Sequence, residues 1–172
     1  MNALLEIDDG GVCEIFQVDE SVFVGKDHIR RAYSHQGAPI RLELDGKIEQ
    51  QSAKVIGAMS NKGTYYYWVS KKYFLKEDIL WFVKFLEKKN KKKDWAIFWD
   101  HCRTHTADIV QDYIGEKAIP QIMNVKYSPE YNGIEQLWAY QKQMFRKTMT
   151  EKKVKKEYVD VMQTVINIQK HC

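Results

Sequence analysis

The chain has 172 residues, 44% hydrophobic and 13% aromatic, with 27 Lys and Arg against 23 Asp and Glu. At roughly 100–200 residues per domain, that is one domain with a proper core, and the apolar fraction excludes a disordered or fibrous chain. The net charge of +4 hides an asymmetry, −4 over residues 1–60 and +8 over residues 61–172; this suits a polyanion ligand that also needs metal ions, although Lys-rich helix faces are usually just solvated.

Three cysteines, Cys13, Cys102 and Cys172, are too few and odd in number for a disulfide framework. They predict reduced thiols in an intracellular protein. The longest apolar runs, such as Ile79 to Leu86, are interrupted by a Lys, so no membrane partner is expected. The acidic stretch from Met1 to Gly11 is not a secretory signal.

In chain order, Val12 to Val18 reads as a strand with a polar exit at Asp19-Glu20-Ser21, and His28 to Tyr33 as a possible second strand. Ala53–Met59 and Thr64–Ser70 are β-rich runs on either side of the turn signature Ser60-Asn61-Lys62-Gly63, so the first 70 residues predict an antiparallel meander. Ile79, Phe82, Val83 and Leu86 then mark an amphipathic helix over about 76–89. Trp95 to Trp99 is a continuous apolar run, as in a strand buried on both faces. Ile109, Val110, Tyr113 and Ile114 mark a short helix stopping at Gly115, and Pro120 to Val125 a strand. Ile134, Leu137, Trp138, Gln141 and Phe145 mark a longer helix. Val154, Tyr158, Val161, Val165 and Ile168 give a last helix, over about 152–170, its apolar stripe. A meander followed by alternating helices and strands predicts one mixed-sheet α/β domain over residues 1–172, with a core of about 12–149.

Two predicted strands end in an acid, Asp19 and Asp100. In parallel neighbours those ends would lie about 5–10 Å apart, outside the carboxyl ends of the sheet where ligands bind in open α/β folds. Glu135 follows in the first turn of the next helix. Three converging carboxylates suit hard divalent cations, and two such ions can clamp both oxygens of an in-line phosphoryl transfer. Each acid also has an ordinary reading. Asp19 fits a surface turn and Asp100 a βα-loop cap, while Glu135, three residues after Asn132, fits a capping box.

Four blocks around these residues resemble the catalytic domain of mariner-like DDE transposases, of the ribonuclease-H-like, retroviral-integrase superfamily. They are Phe16-Gln17-Val18-Asp19-Glu20-Ser21; Arg31, Tyr33, Gly37 and Pro39; Ile97 to His105, with a His five residues after Asp100; and Tyr127-Ser128-Pro129-Glu130-Tyr131-Asn132-Gly133-Ile134-Glu135-Gln136-Leu137-Trp138. The 34 residues between Asp100 and Glu135 match one large branch of that family, and the likeness runs from about Cys13 to Phe145. It implies a ribonuclease-H-like mixed five-stranded sheet flanked by helices. It also implies two Mg²⁺ or Mn²⁺ ions, with Asp19 bridging both, Asp100 holding one and Glu135 the other. The implied reaction is hydrolysis of a DNA phosphodiester, followed by attack of the 3′-OH on target DNA. His101, His105, Ser128 and Asn132 would position these groups. DNA, both transposon ends and target, and a homodimer or larger assembly would be the partners.

Three positions depart from the family pattern: His101 stands for the usual Asn, Val125-Lys126 for two prolines, and Gly133 for Pro. The predicted first strand starts too near Met1 for the upstream helix-turn-helix modules such transposases carry. An isolated catalytic core, a truncated copy, or one chain of a complex with a separate DNA-binding subunit is therefore expected. The alternatives are a domesticated or fragmentary domain acting as a non-catalytic DNA- or protein-binding subunit of a nuclear complex, and a different ribonuclease-H-like nuclease. The Y-S-P…I-E block argues against the last.

Other features have two readings each. His101, Cys102 and His105 suggest zinc, but no second Cys/His pair follows. Tyr65, Tyr66, Tyr67 and Trp68 suit base stacking or the core. Lys88, Lys89, Lys91, Lys92 and Lys93, with Arg103 and Lys126, suit phosphate contacts, or, for the run 88–93, a nuclear-import signal or a solvated helix end.

Overall fold

A computed structural model describes residues 13–25, 51–91, 94–126, 128 and 131–171. Among these, five strands and four helices follow one another: β1 (Glu14–Val24), β2 (Ser52–Ser60), β3 (Tyr65–Ser70), α1 (Lys76–Asn90), β4 (Trp95–Trp99), α2 (Asp108–Glu116), β5 (Gln121–Met123), α3 (Ile134–Val154) and α4 (Val161–Gln169). The strands form one mixed sheet in the order β3-β2-β1-β4-β5, as the resemblance implies. The possible strand at His28–Tyr33 and the block Arg31, Tyr33, Gly37 and Pro39 lie outside the described residues.

The hairpin between β2 and β3 turns where the sequence signals it. Ser60 Oγ accepts the backbone N–H groups of Lys62 (3.2 Å) and Thr64 (3.0 Å), and Gly63 takes the left-handed φ of 83° that a side chain resists. β1 runs antiparallel to β2: the Asn61 N–H donates to Ile15 O near one end and the Gly25 N–H to Gln51 O at the other. β4 joins β1 in parallel, pairing Glu14 with Trp95 through Gln17 with Phe98, and β5 joins β4 in parallel, pairing Ile97 with Gln121. Parallel pairing needs a crossover, which α1 and α2 supply.

The chain divides into two compact units, one of residues 1–20, 56–68 and 73–136, the other of residues 21–55, 69–72 and 137–172. In the first, Phe16, Val18, Ile79, Phe82, Leu86, Ile97 and Trp99 build the core, and every residue of β4 is buried. That fits the continuous apolar run Trp95–Trp99. In the second, Phe23 meets Phe145 edge-on at 5.5 Å, and Val161, Val165 and Ile168 are buried.

Several boundaries differ from the sequence expectation, among them the last strand, which covers only Gln121–Met123 of the expected Pro120 to Val125. The first strand does not exit at Asp19 but continues to Val24, because Ser21 and Phe23 are buried as Phe16 and Val18 are. The second helix does not stop on Gly115, which lies inside α2; Ala118 takes the left-handed turn at φ 48°. The last helix does not start near 152. α3 runs on to Val154, and Tyr158, 81% exposed, lies between α3 and α4. The stripe was misleading because Val154 and Tyr158 fall at helical spacing from Val161, Val165 and Ile168 without being buried with them.

Candidate active site

The β1–β4 register decides where the acids meet. The paired ladder ends at Gln17 and Phe98, so Asp19 and Asp100 each stand two residues past it on adjacent parallel strands. Glu135 sits in the first turn of α3. All three line one cavity of about 510 Å³, with His101, Cys102, Asn124, Lys126, Ser128 and Asn132 also in its wall. Asp100 follows the end of β4 as expected, whereas Asp19 stands beside it from the middle of β1 and not at the end of its strand.

The carboxylates differ in electrostatics. Burial pushes the Asp19 carboxyl up to about 7; the Glu20 N–H at 2.8 Å opposes this, and the charges of Glu20, Glu135 and Asp100 reinforce it. Asp100 behaves oppositely. The His105 hydrogen bond, helped by the Cys102 N–H, holds it below the usual carboxylate range despite partial burial.

His105 is fully buried between two acids. Its Nδ1 donates to Asp100 Oδ1 at 2.8 Å and its Nε2 to Glu20 Oε2 at 3.0 Å. Its ring stacks on Trp99 at 4.8 Å and 9°. Burial disfavours its charge, but hydrogen bonds to Asp100 and Glu20 and their charges outweigh that and push it up to about 10. The ring is therefore an imidazolium at neutral pH, with both nitrogens committed. That removes His105 from any zinc site with His101 and Cys102.

Other expected positioning residues are distributed unevenly. His101 is exposed on the cavity wall, and the hydrogen bond orienting Asp100 comes from His105. Asn132 does not form the expected capping box: its backbone oxygen accepts the Glu135 N–H at 3.1 Å, while its buried Oδ1 meets no partner among the described residues. Ser128 presents its carbonyl to Asn124 Nδ2 at 2.9 Å, and its hydroxyl lies 3.5 Å from Lys126 O.

Sequence reasoning missed Glu20 and Asn124. Glu20 looked like part of a polar strand exit, and its partner lies 85 residues away. Asn124 follows β5, with its backbone N–H on Trp99 O at 2.8 Å and its Oδ1 buried without a partner among the described residues. Its only signal was a polar residue closing an apolar run.

The donor chemistry fits a hard divalent cation: three carboxylates lining one cavity, plus the amide oxygens of Asn124 and Asn132 that nothing described satisfies. Among the described residues, no group of three His, Cys, Asp or Glu side chains is arranged to hold an ion as it stands.

The basic residues are scattered. Lys88 and Lys89 close α1, with Lys89 Nζ 5.6 Å from the Phe85 ring centre; Lys91 follows, and Lys92 and Lys93 lie outside the described residues. Arg103 is exposed in the turn after Asp100, and Lys126 reaches the cavity. Tyr127, Pro129 and Glu130 of the most specific block also lie outside. Of the aromatic run, Tyr66 and Trp68 pack on the core, while Tyr65 and Tyr67 stack on each other at 5.7 Å. No described helix is long and apolar enough to cross a membrane.

A family model of DDE superfamily endonucleases matches residues 14–156. No curated protein matches. Among solved structures, the Mos1 transposase paired-end complex with left transposon end superposes with a TM-score of 0.64 at 14% identity, covering 99% of this chain and 57% of that one. A simian T-cell lymphotropic virus intasome gives 0.61 at 11%, covering 90% and 46%. The catalytic core domain of BIV integrase gives 0.52 at 11%, covering 91% and 80%. At these identities the likeness is one of fold, and the chain spans about half the length of the first two. The fold is that of mariner-transposase and retroviral-integrase cores, and the chain belongs to the DDE superfamily endonucleases.

Proposed function

We propose that this chain is the catalytic domain of a DNA transposase or integrase that hydrolyses DNA phosphodiesters and transfers the freed 3′-OH to target DNA. The observation that carries this is that Asp19, Asp100 and Glu135 line the same cavity, beyond a parallel strand pair, in a chain of the DDE family. Asp19, Asp100 and Glu135 would hold two Mg²⁺ or Mn²⁺ ions. Bound there, the ions supply Lewis-acid stabilisation of the attacking and leaving oxygens.

The protein's own part is positioning. His105 keeps Asp100 ionised and oriented as an oxygen donor. Lys126 offers a cation to a DNA phosphate entering the cavity. Asn132 and Ser128 shape the wall beside Glu135. The similar Mos1 and viral structures are a paired-end complex with left transposon end and an intasome, which supports DNA ends and target as partners and a dimer or larger assembly here. A further DNA-binding module, in the same protein or a separate subunit, would read the ends. The protein would act inside the cell, in the nucleus of a eukaryotic host.

The test is nicking of DNA carrying candidate transposon ends, with Mg²⁺ or Mn²⁺, by wild type, Asp100→Asn and Glu135→Gln. Wild type should nick and both variants should be inactive. Wild type nicking no faster than the variants, with no divalent ion bound by calorimetry, would leave the non-catalytic, domesticated subunit as the better reading.

A further inference from the structure

Glu20 has no role in the reaction as drawn so far, yet it is tied to the site. Its carboxylate accepts from His105 Nε2 at 3.0 Å, and the other ring nitrogen donates to Asp100 Oδ1 at 2.8 Å. The imidazole therefore bridges two carboxylates, and it has no exposed surface from which water could replace either. The ring is also fixed from its face and its backbone: Trp99 stacks on it at 4.8 Å, and Gln111 Nε2 donates to His105 O at 2.8 Å. Asp100 Oδ1 carries a second bond from the Cys102 N–H at 3.0 Å. One oxygen of Asp100 is thus doubly anchored, and Asp100 still lines the cavity.

We propose that Glu20 is a positioning residue of the metal site: acting through His105, it fixes the Asp100 carboxylate with Oδ1 turned inward and its second oxygen left for a divalent ion. This rests on the metal-dependent reading of the cavity and deepens it. Without Glu20, the buried Nε2–H loses its acceptor, a cost the ring relieves by turning towards another partner. Turning releases Asp100 Oδ1, because Nδ1 then no longer donates to it. Partners that orient metal ligands in this way are typically worth 10- to 100-fold in metal affinity.

The test is a double-mutant cycle on the full chain, read by Mn²⁺ calorimetry, with Glu20→Ala, Asp100→Ala and the pair. Alongside it, ¹⁵N spectra of the His105 ring are recorded in the metal-free protein. Glu20→Ala should weaken Mn²⁺ binding about 10- to 100-fold, and should change it little once Asp100 is already Ala. The His105 ring signals should shift in Glu20→Ala, whereas the exposed control Glu157→Ala moves neither readout. If Glu20→Ala does not fold, Glu20→Gln, which keeps an acceptor but not the charge, takes its place with the same two expectations at smaller size.

Mn²⁺ affinity unchanged by loss of Glu20, or reduced equally with and without Asp100, overturns the inference while leaving the metal site standing. A wild type that binds no Mn²⁺ overturns the metal reading first and this inference with it, so the two failures are told apart.

Discussion

Asp19 is the residue where folding and chemistry conflict. With its carboxyl raised from 3.8 to about 7 by burial and neighbouring acids, the favoured protonated state is fully present below pH 3.8 and is lost as pH rises through about 7. Above that pH the metal-free fold carries a crowded, ionised carboxylate. Asp19→Asn should therefore stabilise the metal-free protein at pH 8 by roughly 2–4 kcal/mol and have little effect at pH 4, as thermal unfolding in EDTA would show. Gly133 is a second residue-scale case. A Cβ there would stand 2.8 Å from Gln17 Oε1, so the smallest residue occupies the place where Pro was expected from the family pattern. Gly133→Ala should be more favourable in a Gln17→Ala background than in wild type, by about 0.5–3 kcal/mol in denaturant titrations.

Helix endings govern the element scale. After α2, the Ile119 N–H reaches Ile114 O and the Ala118 N–H reaches Gly115 O; after α3, the Glu157 N–H reaches Lys152 O and the Lys156 N–H reaches Lys153 O. Both are Schellman endings, yet their left-handed residues are Ala118 and Lys156, at φ 48° and 56°. Ala118→Gly and Lys156→Gly should each stabilise the fold by about 1 kcal/mol in chemical denaturation. Gly115→Ala, with open space at its Cβ inside α2, should add roughly 0.5–1 kcal/mol. These endings were not legible in the sequence, because a glycine stop signal is read from residue type and here the strained positions are not glycines. The strand Trp95–Trp99 was legible to the residue, since burial on both faces leaves an unbroken apolar run.

At the scale of the whole molecule, the charge asymmetry takes on a location. Asp19 lies in the acidic front, and Asp100 and Glu135 lie in the basic remainder, with Lys126 beside them on the cavity wall. The logarithm of the DNA-binding constant should fall linearly with the logarithm of salt concentration. Lys126→Ala should lower that slope by about 1 in fluorescence anisotropy without altering sequence preference, as expected for a phosphate contact.

By itself, the sequence determined the strand and helix order over most of the described residues, the mixed-sheet class and the three acids, because hydrophobic period and motif spacing are properties of neighbours along the chain. Only the tertiary structure decided that Asp19 meets Asp100 from mid-strand, that His105 rather than His101 holds Asp100, and that Glu20 and Asn124 belong to the site. Those contacts depend on strand register and on partners up to 85 residues apart. Which partner a polar side chain finds depends on burial that brings distant segments together, and no local pattern encodes it.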